Sequence, residues 1–572
     1  MNWILKDKTG LADFQSKIRL NPVTAQLLAD RNMKNPQEIE RFFDGRYEDL
    51  ASPLEISGIE EVIGRIERAK KNGENISIFG DYDADGLTSS TLLKEALEEM
   101  GFLPSVYIPD RNKEGYGLNK NAIDFLAENY KTDLIITVDC GISNREEIAY
   151  AREKGIDVIV TDHHAIPKKL PTDCILVNPK LPGQKYQFPD LAGVGVAFKL
   201  VQALFEKFLP EKIDQLKWYL DLVAIGTIAD CVPLIDENRI LAKFGLIVLQ
   251  KTRRTGILEI IQTGRLTFGE KNPPTVENVA FQIAPRLNAS GRVDHADLTL
   301  NLLIEKDPAK ARVLALEVEA KNTERQKVSQ QIYAEVKKTL DSEKDYRLII
   351  RSSKHWPLGL VGVVAGKICE EFHCPVFLLR EGDELLEGSG RSIDVFNIFK
   401  AVSRLEKYLE KFGGHSQAMG IKIRPENLGP FEKGLAEIID SAYNSEKWGK
   451  KILIDLEVGS ENIDWDLLAE IRRFEPFGEG NREPIFLTRD FIVRGVKVVG
   501  NGQKHLKLAL EGEKSKFFEG IFWRAGERSG EISVGDEIST VYHLKSNEWN
   551  GNRKLELNII DFQKNGKDKS LH

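Results

Sequence analysis

Between residues 75 and 190 short apolar runs alternate with longer amphipathic stretches. ISIFG (76–80) precedes SSTLLKEALEEM, SVYIP (105–109) precedes NAIDFLAENY, and DLIITVD (133–139) precedes NREEIAYAREKG. DVIVTD (157–162) and CILVNP (174–179) complete the series. Short β-branched runs read as buried strands and 3.6-period stretches as helices. Their alternation predicts an α/β domain with a parallel sheet and crossover helices. From residue 193 to about 300 the pattern is mainly helical. Residues 307–341 contain no Pro or Gly after Pro308 and predict one long helix. A mixed α/β pattern resumes in YRLIIRSS, VVAGKICEEF and PVFLLR, so this helix reads as a connector between two cores. From about 450 the chain is strand-rich (KILIDLEV, HLKLALEG, FFEGIFW), with a hairpin expected around Asn550-Gly551. A small all-β barrel or sandwich is expected there. The expected boundaries are an N-terminal extension 1–55, a parallel-sheet domain 56–305, a connecting helix 306–341, a smaller α/β domain 342–445 and a β domain 446–565. The tail after about 564 reads as disordered.

With 572 residues, 41% hydrophobic and 29% charged, the composition is that of a globular protein. No run of about 18 apolar residues occurs, and MNWILKDKTG lacks the apolar core of a secretory signal. Five cysteines, an odd number, show no disulfide framework. A reducing cytosol without membrane contact is therefore expected. Cys369, His373 and Cys374 are one ligand short of a zinc set, and the thiols read as buried core residues. The net charge of −8 does not announce a polyanion partner. It does not exclude one, because binding needs only a local basic surface.

The acids and histidines change this picture. DYDADG (81–86) begins like a calcium loop, but such a loop needs a bidentate Glu at its twelfth position, where Leu92 stands. The preceding strand also places these acids on a strand-to-helix turn. Asp81, Asp83 and Asp85 follow one strand, Asp139 ends a second, and Asp162, His163 and His164 end a third. In a parallel sheet these ends share one edge, where ligands bind in open α/β folds. Carboxylates gathered there would repel one another, and a divalent cation is the usual reason to tolerate that. Mixed Asp/His ligation suits Mn²⁺, Fe²⁺ or Zn²⁺, and Mg²⁺ where carboxylates dominate. A fourth acid, Asp230, closes LDLVAIGTIAD and is a weak signal alone. An Asp-x-Asp phosphatase opening would explain DADG but not Asp139 or the Asp-His-His triplet.

The motifs FGDYDADG, VDCG, TDHH (161–164) and IGTIADCVPL resemble, in order and spacing, the DHH phosphoesterase superfamily. HWPLGLVGVVAGKI (355–368), GSGRSI (388–393) and KFGGHSQAMG (411–420) resemble its DHHA1 substrate-binding domain. RLNASGRV (286–293), EPFGEGNREPIF and the β-rich C-terminus resemble the RecJ branch, bacterial single-strand-specific DNA exonucleases with an OB-like C-terminal barrel. The resemblance implies metal ligation by Asp83, Asp85, Asp139, His163 and Asp230, with Asp139 bridging and one or two Mn²⁺ or Mg²⁺ ions. It implies close catalytic roles for Asp81 and His164, and puts His415 opposite the scissile phosphate. A grip on a 5′ phosphate would be formed by Arg111, by Arg286 or Arg292, and by Ser389, Gly390, Arg391 and Ser392. Relatives with two tightly held ions carry a His four residues before the first ligand Asp; Phe79 stands there. Barrel candidates for stacking or backbone contact are Lys504, His505, Lys507, Phe518, Phe522, Trp523 and Arg524. The implied activity is 5′-to-3′ hydrolysis of single-stranded DNA to 5′-mononucleotides in repair and recombination. Expected partners are single-stranded DNA, a single-strand-binding protein and a helicase, with the enzyme a cytoplasmic monomer. The alternatives are a DHH phosphodiesterase for short RNA, cyclic dinucleotides or pyrophosphate, and a non-catalytic scaffold.

Overall fold

The computed structural model describes residues 2–7, 21–33, 35–111, 113–341, 346–443, 448–549 and 552–565. Residues 47–449 form one compact unit; residues 1–46 and 450–572 group in another. In the first unit five parallel strands run in the order Ser105–Tyr107, Ile76–Gly80, Leu134–Val138, Asp157–Thr161, Ile175–Val177. The runs are continuously apolar because both faces of the sheet are covered. Ile78, Ile136 and Ile159 face the helices Ala84–Glu99, Gly193–Phe208 and Leu220–Ala229. Phe79, Ile135 and Val158 face the helices Lys120–Tyr130 and Arg145–Glu153. Gly80 pairs with Val138 and Val138 with Thr161. The residues that follow, Asp81, Asp139 and Asp162, therefore leave the sheet at one level.

The long helix spans Pro308–Lys338, capped by Asp307, whose carboxylate accepts from Ala309 N and Lys310 N. Its apolar seam changes partner along its length. Ala311, Ala315 and Val318 join the first core, and Ile332 and Val336 join a second. The connector reading thus has a packing basis. The second core lies on a mixed sheet in the order Leu409–Gly414, Ala418–Ile423, Leu386–Arg391, Val376–Glu381, Ile349–Ser353. Only its last two strands are parallel, joined across the helix Leu358–Phe372. Cys369 and Cys374 are buried in this core.

In the other unit the strands Phe486–Val499, His505–Glu511, Phe517–Phe522, Asn552–Lys564 and Glu537–Trp549 pair in turn, and the first pairs with the last. The barrel is therefore closed and leaves no open edge. The hairpin tip at Asn550-Gly551 and the tail from 566 lie outside the described residues; Trp549 pairs with Asn552 across that tip. Lys451–Ile454, read as part of the β domain, pairs instead with Asn2–Leu5 in a separate two-stranded parallel sheet. Trp3 Nε1 donates to Asp561 at 3.0 Å and ties this sheet to the barrel. The first helix among the described residues is Pro22–Ala29. A four-residue strand whose partner is so distant in the chain carries no local signature. Among the described residues no helix is long and apolar enough to cross a membrane.

One buried ion pair anchors the helix Gly193–Phe208. Lys199 Nζ lies 2.7 Å from Glu237, and both side chains are almost wholly buried. Glu237 also accepts from Ala51 N (2.8 Å) and Tyr186 OH (2.8 Å), and Lys199 donates to Ala51 O (2.6 Å). Removing one charge strands the other in the core. Glu237→Ala is expected to destabilise the first unit by about 3–5 kcal/mol in urea unfolding. A Lys199→Met, Glu237→Leu double variant should lose less.

Candidate metal centre

Four of the acids at the sheet edge, Asp83, Asp85, Asp139 and Asp162, are placed by identifiable contacts. Asp83 caps the helix Ala84–Glu99, its Oδ1 accepting from Asp85 N (3.0 Å) and Gly86 N (3.2 Å). Ala84 N donates to Asn288 Oδ1 (2.7 Å), so the turn is also held from outside. Asp85 accepts from Gly193 N (2.7 Å) and Val194 N (2.8 Å), a helix N-terminus that favours an anion. Asp139 adopts a left-handed backbone (φ 61°), which costs about 1 kcal/mol or more for a residue with a side chain. Two glycines make room: a Cβ at Gly193 would lie 2.6 Å from Asp139 Oδ1, and one at Gly226 2.7 Å from Asp85 Oδ1. Asp162 accepts from Ile142 N, His163 N, His164 N and His164 Nδ1 at 2.7–3.0 Å, so it orients the histidines. Lys180 Nζ donates to His163 O (2.7 Å).

These devices bring Asp81, Asp83, Asp85, Asp139, His163, His164 and Asp230 together. Asp81, Asp83 and Asp139, then Asp85, His163 and Asp230, then Asp139, His163 and His164, each offer ligand atoms within 4.8 Å of one another. Asp139 belongs to two of the three groups. His163 Nε2 lies 3.2 Å from Asp139 Oδ1 and 3.6 Å from Asp230 Oδ2. Yet both His163 nitrogens, Asp139 Oδ1 and Asp81 Oδ1 are buried without a hydrogen bond. Buried polar atoms without partners are costly and call for an explanation. Burial, then neighbouring acids, pushes Asp81 and Asp139 far above the usual carboxylate range, Asp85 to about 7 and Asp230 to about 9. Burial, then His164, pushes His163 down to about 3, the neutral form that ligates metals. Burial opposes the charge of Asp162, but the His164 ring and the backbone donors hold its carboxyl below the ordinary range. A divalent cation fits this donor set: it would satisfy the orphaned atoms and relieve the repulsion. Phe79, at the position where some relatives carry His, is buried and stacked on Tyr107 at 5.6 Å, and supplies no ligand.

A second, positive cluster lies beside the first. The Arg111 guanidinium sits over the Tyr82 ring (4.9 Å), and Arg292 reaches Gly359 O (3.3 Å). Burial and then Arg111 push Arg292 down to about 10, with Arg325 and Arg391 adding to the repulsion. Burial and then Arg111 also lower Arg391. Arg111, Arg292 and Arg391 therefore converge. Arg286 does not join them. It is paired with Glu319 (2.6 and 3.3 Å) and donates to Gln282 O (2.6 Å). At about 100° per residue, positions six apart point roughly 240° apart around a helix.

Ser389 and Arg391 share the face of their strand that meets Gly362, where a Cβ would lie 3.1 Å from Ser389 Oγ and 2.8 Å from Arg391. Gly390 has a packing reason to be glycine: a Cβ there would strike the Phe377 ring at 2.5 Å. Ser392 Oγ donates to Phe396 O (2.8 Å) and holds a turn. His415 is exposed on the turn between Leu409–Gly414 and Ala418–Ile423, where its backbone N–H donates to Ala418 O (2.8 Å).

Sequence reasoning missed Asn288, Gly193, Lys180 and Tyr116. The Tyr116 hydroxyl lies 3.0 Å from His164 Nδ1 and 3.1 Å from Asp139 O. Its signal was the flanking pair Gly115 and Gly117, both at positive φ. In the barrel, Phe518 is buried and Phe522 packs edge-on to Phe562. Lys507 pairs with Glu519 (3.0 Å). Trp523 is 55% exposed and packs edge-on to His505 (4.8 Å), whose Nδ1 accepts from Arg524 N.

Three family models match the chain: the DHH family N-terminal domain at residues 75–227, the DHHA1 domain at 345–441 and the RecJ OB domain at 454–561. The single-stranded-DNA-specific exonuclease RecJ of Bacillus subtilis is 37% identical over 566 residues, 98% of this chain and 70% of that one. The protein of the same name from Haemophilus influenzae is 32% identical over 563 residues, 95% of this chain and 96% of that one. Crystal structures of RecJ from Thermus thermophilus superpose with TM-scores of 0.83 for the Mn²⁺ complex and 0.76 for the Mg²⁺ complex. The identities are 27% and 25%, each alignment covering 98% of this chain and 79% and 78% of that one.

The close approach of Gly193 to Asp139 yields a test that removes no ligand atom. Gly193→Ala should displace the Asp139 carboxylate and weaken Mn²⁺ binding about tenfold or more in calorimetric titration. Gly195→Ala, two positions along the same helix, is the control.

Proposed function

The chain belongs to the RecJ family, and from that membership we propose that it degrades single-stranded DNA from the 5′ end, releasing 5′-mononucleotides, with Mn²⁺ or Mg²⁺ at the acid cluster. The observation that carries the reading is the set of buried, unpartnered ligand atoms on Asp81, Asp139 and His163. Asp83, Asp85, Asp139, His163 and Asp230 would hold the cation, with Asp139 shared if two ions bind. The absence of a ligand at Phe79 supports unequal affinity for two ions. When bound, a divalent cation supplies Lewis-acid activation of water and charge neutralisation at the phosphoryl oxygens.

The chain's own groups do the rest. Arg111, Arg292 and Arg391, with Ser389, would hold the terminal 5′ phosphate; planar guanidiniums suit bidentate phosphate contacts. Fixing that phosphate sets the next phosphodiester at the acid edge. Attack by water forms a P–O bond there and breaks the bond to the 3′ oxygen. The freed nucleotide keeps its 5′ phosphate, and the shortened strand begins with a new one. His164, its Nδ1 turned to Asp162, has Nε2 left to hold or pass a proton at the reacting oxygens. Asp81, grouped with Asp83 and Asp139, adds a carboxyl to the same edge. His415, on an exposed turn, would meet the substrate from the second domain.

The barrel supports a polymeric substrate over a dinucleotide or pyrophosphate, because a small substrate needs no added binding surface. Of the candidate aromatics Phe518, Phe522 and Trp523, exposed Trp523 is the one free to stack a base. A single-strand-binding protein and a helicase as partners, action as a monomer and residence in the cytoplasm belong to the same proposal.

The deciding assay uses 5′-phosphorylated DNA of about 30 nucleotides, labelled at the 3′ end, single- or double-stranded, with Mn²⁺, Mg²⁺ or EDTA. A metal-dependent ladder shortening from the 5′ end on single strands is expected. Asp139→Ala should lower the rate by about a thousandfold or more, on the scale of a lost catalytic group. Intact DNA under every metal would refute the reading. Arg391→Ala should raise KM for 5′-phosphorylated strands and leave that for 5′-hydroxyl strands nearly unchanged.

A further inference from the structure

The loop between Ser105–Tyr107 and Lys120–Tyr130 presents a side chain that the scheme above does not use. Tyr116 is held there by backbone-directed contacts on both sides. Gly115 (φ 84°) and Gly117 (φ 86°) supply left-handed turns that suit glycine. Gly117 lies against Asn144, where a Cβ would be 2.5 Å from Oδ1, and Asn144 bonds both Leu118 N (3.1 Å) and Leu118 O (3.0 Å). Upstream, the Glu114 carboxylate accepts from Asp110 N (2.7 Å), Tyr107 OH (2.8 Å) and Asn119 Nδ2 (3.1 Å). The loop is thus shaped by its own hydrogen bonds and brings Tyr116 edge-on to the His164 ring at 5.4 Å.

The hydrogens can be assigned from what each partner is able to do. Asp162 Oδ1, 2.8 Å from His164 Nδ1, accepts, so Nδ1 carries the hydrogen. The Asp139 carbonyl, 3.1 Å from Tyr116 OH, can only accept, so it takes the one phenolic hydrogen. The Tyr116 oxygen is left to accept from His164 Nδ1–H, alongside Asp162. Two acceptors then fix the ring at Nδ1, and Nε2 faces away from them. The arrangement is unchanged whether or not Nε2 holds a proton. The same hydroxyl steadies the carbonyl of Asp139, the residue at φ 61°.

We propose that Tyr116 is a positioning residue for the hydrolytic step: its hydroxyl joins the His164 ring to the Asp139 backbone and sets where Nε2 meets the substrate. This rests on the nuclease reading for its effect on rate, and on geometry alone for the contact. Tyr116→Phe keeps the ring and removes only the hydroxyl. In single-turnover assays with Mn²⁺ and 5′-phosphorylated single strands, it should lower the rate about ten- to a hundredfold, with DNA affinity and melting temperature unchanged. Added to His164→Ala it should cause no further loss. A wild-type rate in Tyr116→Phe overturns the proposal, as do losses that multiply in the double variant. So does weaker DNA binding confined to Tyr116→Ala beside a fully active Tyr116→Phe, which would assign the ring to base stacking. A readout without turnover separates the two readings. The His164 Cε1–H resonance of the metal-free protein, assigned by its loss in His164→Ala, should shift in Tyr116→Phe. An unmoved resonance overturns the positioning role even in an active nuclease. A shifted one with an inactive wild type upholds the contact and removes the nuclease reading.

Discussion

Carboxylates buried together repel, and the end of the parallel sheet holds Asp81, Asp83, Asp85, Asp139 and Asp230 around a neutral imidazole. Much of the neighbouring backbone is arranged to make that bearable. Asp85 receives two N–H groups from a helix N-terminus. Asp139 accepts a left-handed backbone to turn its side chain into the cluster. Gly193 and Gly226 are bare so that helices can approach Asp139 and Asp85 closely. None of these devices removes the charge. They leave a cluster that is unfavourable until a cation joins it, which is the physical form of a metal site.

The arginines are the same problem with the sign reversed. Burial and the Arg111 charge lower Arg292 and Arg391, and an anion bound among them would relieve the repulsion. A nucleic-acid end, with phosphates and associated cations, would satisfy both clusters at once. Their separation is set by one helix, Ala284–Val293. Its Asn288 holds Ala84 N, its Gly291 lies against Tyr82 O, and its Arg292 reaches Gly359 O. That helix therefore brackets the acidic turn and the second domain. The long helix beyond it shares its apolar seam between both cores and keeps them in one unit.

Single-strand selectivity needs a surface as well as a site. In the barrel most aromatics that looked like stacking platforms are structural: Phe518 and Phe522 fill the interior, as a closed barrel of this size requires. Trp523 lies outside because it stands just past the end of its strand, Phe517–Phe522.

The sequence by itself determined the layered α/β architecture, the long helix, the β-rich end and the address of the acids. Each depends on local periodicity, and a parallel sheet turns strand ends into one shared edge whatever else the chain does. Even so, the choice between Arg286 and Arg292 stayed open, because both lie on one helix and only packing decides which side faces the acids. Gly390, read as a phosphate contact, also seats the Phe377 ring, a contact no local spacing reveals. Asn288, Gly193, Lys180 and Tyr116 act across contacts with no fixed spacing to the acids they serve. The pairing of Asn2–Leu5 with Lys451–Ile454 joins segments far apart in the chain. Such pairings are decided by tertiary structure, because their energy comes from surfaces that exist only once distant segments have folded together.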